Sequence, residues 1–557
     1  MKWRIGDNAA ALVAMAVLGA FLLAPLAALG LQAVTSDDGR VGLAGVIRYL
    51  SSPGLAHSLS NTLTLAVAVV ATVIPMALLT AFALERTSLP YKWLLTTATG
   101  APLLIPSLLP ALALVYLFGR QGLLTPLFGG RTIYGAQGVY VADVIATFPH
   151  ALVVIRTALS AADGRLYEQA ALLGAKSWRA FLTITLPGVR HGLVAAATTT
   201  FSLTIADIGA PKVVGGNFDV LALDIFKAVV GRQDFTVAAA ASLFLLTPSL
   251  FAVAAERMAA RKRAALISSR STLFTPTPNR VRDWAVGAGA WTIALAILAV
   301  LGVCQMAALV TRWPYDLSLS LAQYDLDRVD GGGWSALSNS VWLGLATATV
   351  GTAFAFFAAW ASERSRATPA LRQALSTVAL APAAAPGLAL GVAYVLVFND
   401  PANPLHVLYG GFGILIAVSV THAFTVAYLT CAAALKALDA EFEAAGEVLG
   451  GGGARLVGRV IAPLCAPALV EVFVYLFVAA TTTVSAVVFL YPPDVKLASV
   501  AILNMDDAGD IAPAAAMGML IVYVNVCARG LGLVAQNWIK RRRTTSGAPA
   551  GDPARAH

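Results

Sequence analysis

Charge is scarce in this chain. Asp, Glu, Lys and Arg together make up 12% of its 557 residues, where a soluble domain carries about 25%. Hydrophobic residues make up 58%, more than one aqueous core can cover, so lipid must be the solvent for much of the surface. Cysteine is scarce too. Cys304, Cys431, Cys465 and Cys527 lie far apart in apolar surroundings, which excludes a disulfide framework or a cysteine metal site. No lysine follows a glycine, so the core of a phosphate-binding loop is missing and the chain has no nucleotide site of its own. There is no serine-hydrolase elbow and no His-Glu-x-x-His string, and the six histidines do not pair at ligand spacing. Catalysis, a resident metal and a cofactor are not expected.

What the chain has is long uncharged runs. A span needs roughly 20 apolar residues to cross about 30 Å of hydrocarbon. Twelve runs qualify, near 8–33, 59–84, 93–117, 137–160, 192–210, 235–255, 284–310, 337–362, 373–398, 411–434, 466–490 and 511–535. The expected fold is an all-α polytopic membrane protein. The net charge of +9 does not signal nucleic acid, because lysine and arginine collect in alternate loops and in Lys540-Arg541-Arg542-Arg543, while Asp316, Asp325, Asp327, Asp330, Asp494, Asp506, Asp507 and Asp510 occupy opposite loops. The positive-inside rule then places both termini in the cytoplasm. The first apolar run exceeds the length of a signal-peptide core and reads as a retained first span.

One loop pattern occurs twice. Leu166-Tyr-Glu168-Gln-Ala170-Ala171-Leu-Leu-Gly174 leads to Pro187, and Phe442-Glu443-Ala-Ala445-Gly-Glu-Val-Leu-Gly450 leads to Pro463. Gly450 follows Gly174, and Pro463 follows Pro187, by the same interval (450 − 174 = 276). Ser60-Asn61 recurs as Ser338-Asn339, Glu85-Arg86 as Glu363-Arg364, and Pro102 and Pro106 as Pro382 and Pro386, at slightly larger offsets. The chain therefore reads as two parallel six-helix repeats: residues 1–265 and 283–545, joined by a basic linker at 266–282 and followed by a disordered tail at 546–557. Residues 162–174 suit a short helix, with Asp163 as N-cap and Gly174 as its stop. Ala170 and Ala171 permit close approach by another surface, Glu168 offers a fixed charge, and Trp178, Arg179 and Phe181 pack the returning chain. An ordinary amphipathic loop helix on the bilayer surface explains one copy but not two with identical spacing.

Glu-x-Ala-x-x-x-Gly followed by Ile-x-Leu-Pro resembles the EAA loop of permeases from binding-protein-dependent ABC importers. Two such loops on one chain resemble the fused permeases of the ferric iron, thiamine and phosphonate groups, of type I importer fold. The resemblance implies that these loops dock two copies of a cytoplasmic ABC ATPase, and that a periplasmic substrate-binding protein delivers the cargo across a bacterial inner membrane. Carried over by position, Glu168, Ala170, Gly174 and Pro187 match in the first half, and Ala445, Gly450 and Pro463 in the second. Gln169 and Gly446 depart from the pattern. Glu168 falls on Ala444, and Glu443 lies one residue earlier, about 100° around a helix, so unequal coupling is expected.

Ionisable groups inside spans are functional candidates. Asp143 lies two turns into the fourth span with His150 on the same face. Asp207 reads either as a pore-facing carboxylate for a cationic cargo group or as a residue capping a helix end, with Gly209 and Pro211 breaking the fifth helix. Glu471 reads as structural. The stretch from Asp207 to Lys227 resembles fused permeases assigned to 2-aminoethylphosphonate, whose phosphonate would suit Lys212, Lys227 or Arg232. Ferric iron and thiamine stay open as cargo. A twelve-span secondary transporter is the rival class, and it would need no coupling loop.

Overall fold

The computed structural model describes residues 2–35, 42, 44–51, 54–161, 164–264, 274, 276, 278–329, 331–439 and 454–546. Ten helices there are long and apolar enough to cross a membrane. They are α1 (Asp7–Ala33), α2 (Leu55–Arg86), α5 (Ala136–Ser160), α7 (Ser177–Ala206), α10 (Phe235–Ala264), α11 (Arg280–Leu309), α12 (Gly333–Glu363), α15 (Phe412–Lys436), α16 (Val457–Thr482) and α18 (Ile511–Ser546). Between them lie the bent pairs α3 (Lys92–Leu104) with α4 (Leu108–Phe118) and α13 (Pro369–Ala384) with α14 (Gly387–Phe398). Shorter helices are α6 (Arg165–Leu172), α8 (Gly209–Val214), α9 (Leu221–Phe226) and α17 (Ala498–Ala508). A small antiparallel hairpin, β1 (Val310–Arg312) and β2 (Asp316–Leu319), follows α11.

Two of the twelve expected spans are sharply bent pairs, and the runs at 192–210 and 466–490 outlast their helices, which end at Ala206 and Thr482. The runs at 93–117 and 373–398 bend by 102° and 109°. Proline explains both. Ile105 and Ala385 precede Pro106 and Pro386 and adopt extended backbone, because a following proline disfavours the helical region. Before each break the chain tightens into a 3₁₀ turn, Ala101–Leu104 and Ala381–Ala384, with Pro102 or Pro382 in its second position.

Proline also sets a second repeated irregularity. Five-residue π turns occupy Gly19–Leu23, Phe181–Thr185, Lys227–Gly231 and Val457–Ile461, and all but the third share one cause. Those three end two residues before a proline: Pro25, Pro187 and Pro463. A proline has no N–H for the i−4 carbonyl and its ring crowds that oxygen. Widening the turn lets the preceding N–H bond five residues back instead, as Ala24 does to Gly19, Leu186 to Phe181 and Ala462 to Val457.

The first span of each half packs on the other half. Helix α1 lies against α12, α13 and α14. Asp7 and Asn8 accept the backbone N–H groups of Arg366 and Thr368 at 2.7 and 2.9 Å, and the Tyr394 hydroxyl donates to the Phe21 carbonyl at 2.7 Å. Helix α11 in turn lies against α2, α3 and α4, with the Asp283 carboxylate accepting from the Ser88 hydroxyl at 2.7 Å. Small residues make the helix contacts close, as lipid-embedded packing requires. A Cβ on Gly344 would meet the Phe477 ring at 2.9 Å, and Ala238, Ala239, Ala240 and Ala241 of α10 are all fully buried. Outward apolar side chains such as Leu12, Val67, Leu295, Val350 and Leu531 are exposed to lipid instead.

Candidate functional site

The paired motifs of the two halves make paired contacts. Asn61 donates to the Asp219 carbonyl at 2.9 Å and Asn339 to the Lys496 carbonyl at 3.1 Å. Thr62 and Ser340, the next residues, accept the N–H groups of Leu221 and Ala498, pinning the starts of α9 and α17. At the far ends of α2 and α12, Arg86 donates to the Leu159 carbonyl at 2.7 Å and Arg364 to the Leu435 carbonyl at 3.0 Å. Glu85 pairs with Arg156 at 2.6 Å, and Glu363 with Lys436 at 3.1 Å. These contacts close the C-terminal ends of α5 and α15, from which the repeated loops depart. Helices α5 and α15 occupy identical intervals in the repeat.

In the first loop, α6 starts at Arg165, later than expected, and ends at Leu172. Residues 162 and 163, with the Asp163 cap, lie outside the described residues. The helix stops as the glycine predicts. Gly174 has φ +69°. Its N–H bonds to the Ala171 carbonyl at 3.0 Å and that of Ala175 to the Ala170 carbonyl at 2.9 Å, the paired bonds of a Schellman motif. A Cβ on Gly174 would touch nothing within 4 Å, so backbone conformation rather than space requires glycine. None of α6 is fully buried. Leu172 and Leu173 are 88% and 86% exposed, Glu168 and Ala171 are exposed and Ala170 is half-buried. Of the returning chain, Trp178 stacks on Phe181 at 5.6 Å and Phe181 meets Phe82 edge-on at 5.7 Å, while Arg179 is exposed. The Tyr167 hydroxyl meets that of Thr185 at 2.9 Å, tying α6 to the π turn before Pro187. In the second loop, Glu443, Ala445 and Gly450 lie outside the described residues. Pro463 is described, exposed, and follows the matching π turn.

The other end of α7 gathers charge. The helix ends at Ala206 and the break falls at Asp207-Ile208, just ahead of Gly209 and Pro211, which lie inside α8. Asp207 caps that helix, accepting the Ala210 N–H at 2.9 Å. Asp143, 1% exposed, lies within hydrogen-bonding reach of Asp207, a juxtaposition that no local sequence pattern announces. His150 is half-buried two turns away on α5. Lys212 is paired with Asp507 of the second half at 3.0 Å and lies 5.3 Å from the Phe226 ring. Lys227 is paired with Asp219 at 2.5 Å. Neither lysine therefore stands as an isolated cation. Beside Asp507, burial and then the Asp507 charge raise the Asp506 carboxyl to about 6. A cleft of about 770 Å³ lined by Arg120, Thr132, Tyr134, Asn217 and Phe218 opens nearby, and Tyr134 feels the charges of both Arg120 and Asp506. Arg120 carries no signal in the sequence, since one arginine in a glycine-flanked loop forms no pattern. Glu471 is structural, as expected: it holds Arg529 at 2.7 Å and Gln536 at 2.8 Å across α16 and α18.

The chain is similar over most of its length to the ferric transport system permease protein FbpB of Actinobacillus pleuropneumoniae, 28% identical over 86% of this chain and 71% of that protein. A homologue in Haemophilus influenzae named for the same ferric system is 26% identical over 81% of this chain and 73% of its own. A bacterial ABC transporter that imports alginate overlaps 43% of this chain and 90% of the matched chain at 20% identity and a TM-score of 0.37. The model of the family described as "Binding-protein-dependent transport system inner membrane component" matches twice, at residues 73–264 and 351–541. The chain belongs to that family, as a fused two-repeat permease subunit of a type I ABC importer whose ATP-hydrolysing subunit is a separate chain.

Proposed function

We propose that this permease passes a small solute from a periplasmic binding protein to the cytoplasm of a bacterial cell, with both termini cytoplasmic and with one ATPase subunit docked at each repeated loop. The observation that carries this reading is α6: a short, exposed helix, stopped by a glycine that its backbone requires, and joined to α7 by the Tyr167–Thr185 contact. Glu168, Ala170, Ala171, Gly174 and Pro187 form one docking site, and Glu443, Ala445, Gly450 and Pro463 form the other. Leu172 and Leu173 supply apolar area to the first. Closure of the ATPase dimer would push on these loops and rock the two halves.

For the cargo we propose a small zwitterionic organophosphonate, 2-aminoethylphosphonate above all. It is supported by the stretch from Asp207 to Lys227 and by the mixed charges at the outer mouth. Charges entering a low-dielectric path need partners of opposite sign. Asp143 and Asp207 suit an ammonium. Because Lys212 and Lys227 already hold carboxylates, a phosphonate would exchange with Asp507 or Asp219, or meet Arg120. A ferric cargo is the second reading, supported by relatives named for ferric transport that align over most of this chain. Calorimetry on the partner binding protein separates them. Tight binding of aminoethylphosphonate supports the first reading; tight binding of ferric ion or thiamine alone overturns it and leaves the permease intact.

A further inference from the structure

Phe274, which lies in sequence between the two halves, sits against the first loop helix. Its ring lies 4.7 Å from that of Tyr167. The Arg86 guanidinium completes the cluster, 4.5 Å from the Phe274 ring and 5.0 Å from the Tyr167 ring. Arg86 is 3% exposed, donates one N–H to Leu159, and leaves its Nε without a partner. A buried cation with an unused N–H is costly, and the aromatic faces offset part of that cost. In the second half Arg364 solves the same problem with carbonyls, donating to both Leu435 and Leu438.

An eight-residue helix cannot hold itself in water, and α6 fully buries none of its residues. Its orientation depends on the few contacts that grip it. Tyr167 is the gripped residue: its ring meets Arg86 and Phe274, and its hydroxyl meets Thr185 of the π turn. We propose that Phe274 is a positioning residue for energy coupling, clamping Tyr167 against Arg86 so that α6 keeps one orientation while force passes into α2 and α7. This rests on the reading of α6 as an ATPase-docking helix. It gives the joining segment a mechanical task beyond linking the halves, and it makes the first loop respond to how that segment is held.

The test uses the complete importer in proteoliposomes, with the binding protein loaded with aminoethylphosphonate and, in a parallel arm, ferric ion. Uptake per ATP hydrolysed and ATPase co-purification are read for Phe274→Ala, Phe274→Leu, Phe274→Trp and Gly174→Leu. Phe274→Leu keeps apolar bulk without the aromatic face, which guards against a folding defect. The clamp predicts that Phe274→Ala and Phe274→Leu assemble normally but lose about three- to tenfold in uptake per ATP, and that Phe274→Trp restores it. Wild-type coupling in Phe274→Leu, alongside uncoupling in Gly174→Leu, overturns the clamp and leaves the docking reading standing. Wild-type coupling in all variants overturns both.

Discussion

Lys212 and Asp507 join the two halves of the chain across the end of the bundle remote from the loops, with 3.0 Å between ammonium and carboxylate. The lysine follows the helix break at Asp207, and the aspartate lies in the last turn of α17. Any rocking of the halves that widens this end must part them. Their side chains are 24% and 49% exposed, so the pair contributes at most about 1 kcal/mol.

A modest latch of that kind has a measurable consequence. Lys212→Ala or Asp507→Ala is expected to raise ATPase activity in the absence of binding protein by up to about fivefold. The exchange Lys212→Asp with Asp507→Lys is expected to return it towards wild type. Equal basal rates in all four proteins would remove the pair from gating.

Asp506 supplies a pH dependence. Its carboxyl is raised from 3.8 to about 6, chiefly by burial and then by Asp507. A carboxyl with a raised folded-state pKa adds stability that is fully present below its unfolded value and is lost as pH rises through the folded one. The melting temperature of the wild type relative to Asp506→Asn is therefore expected to fall between about pH 4 and pH 6 and to level off above that window. A flat difference from pH 4 to 8 would show that Asp506 titrates normally.

Gly174 tests the loop. Leucine at φ +69° costs about 1–2 kcal/mol of backbone strain, although the site has room. Gly174→Leu is expected to leave the permease in the membrane and cut uptake per ATP by about tenfold. Glu168→Ala is expected to cost more uptake than Glu443→Ala, because only Glu168 occupies the acidic position of the loop pattern. Equal losses would place Glu443 in the same register.

Pro187 tests the π turn. Pro187→Ala restores an N–H, and the turn at Phe181–Thr185 is expected to relax to an α-helix. One residue fewer per turn rotates everything before it by about 100°, which would swing Thr185 away from Tyr167. Uptake is expected to fall while expression does not, and Pro25→Ala, which follows a π turn distant from either loop, is expected to leave coupling intact. Normal uptake in Pro187→Ala would make its π turn incidental.

The long runs were legible because each span needs a stretch without charge, and the repeat was legible because Gly174/Gly450 and Pro187/Pro463 keep one interval. Asn61 and Asn339 stood out as a matched pair, but the carbonyls they hold, on Asp219 and Lys496, have no sequence signature. The bends at Pro106 and Pro386 were hidden inside runs apolar enough to pass as straight helices. The reach of α1 and α11 onto the opposite half, beside α10 and α18 of their own, was hidden for another reason: an apolar helix face does not say which neighbour covers it. Lys212 looked like a free cation because its partner, Asp507, lies in the other half. Asp143 and Asp207 are each legible as acids inside apolar runs, yet only the packing of α5 against the end of α7 brings them together.

The most direct measurement of the whole account is solute uptake into proteoliposomes holding this chain, with aminoethylphosphonate and ferric ion as parallel probes. The account predicts no uptake under a proton or sodium gradient alone, and uptake once ATP, the partner ATPase and the loaded binding protein are all present. Uptake driven by an ion gradient with no ATPase in the vesicle would contradict it.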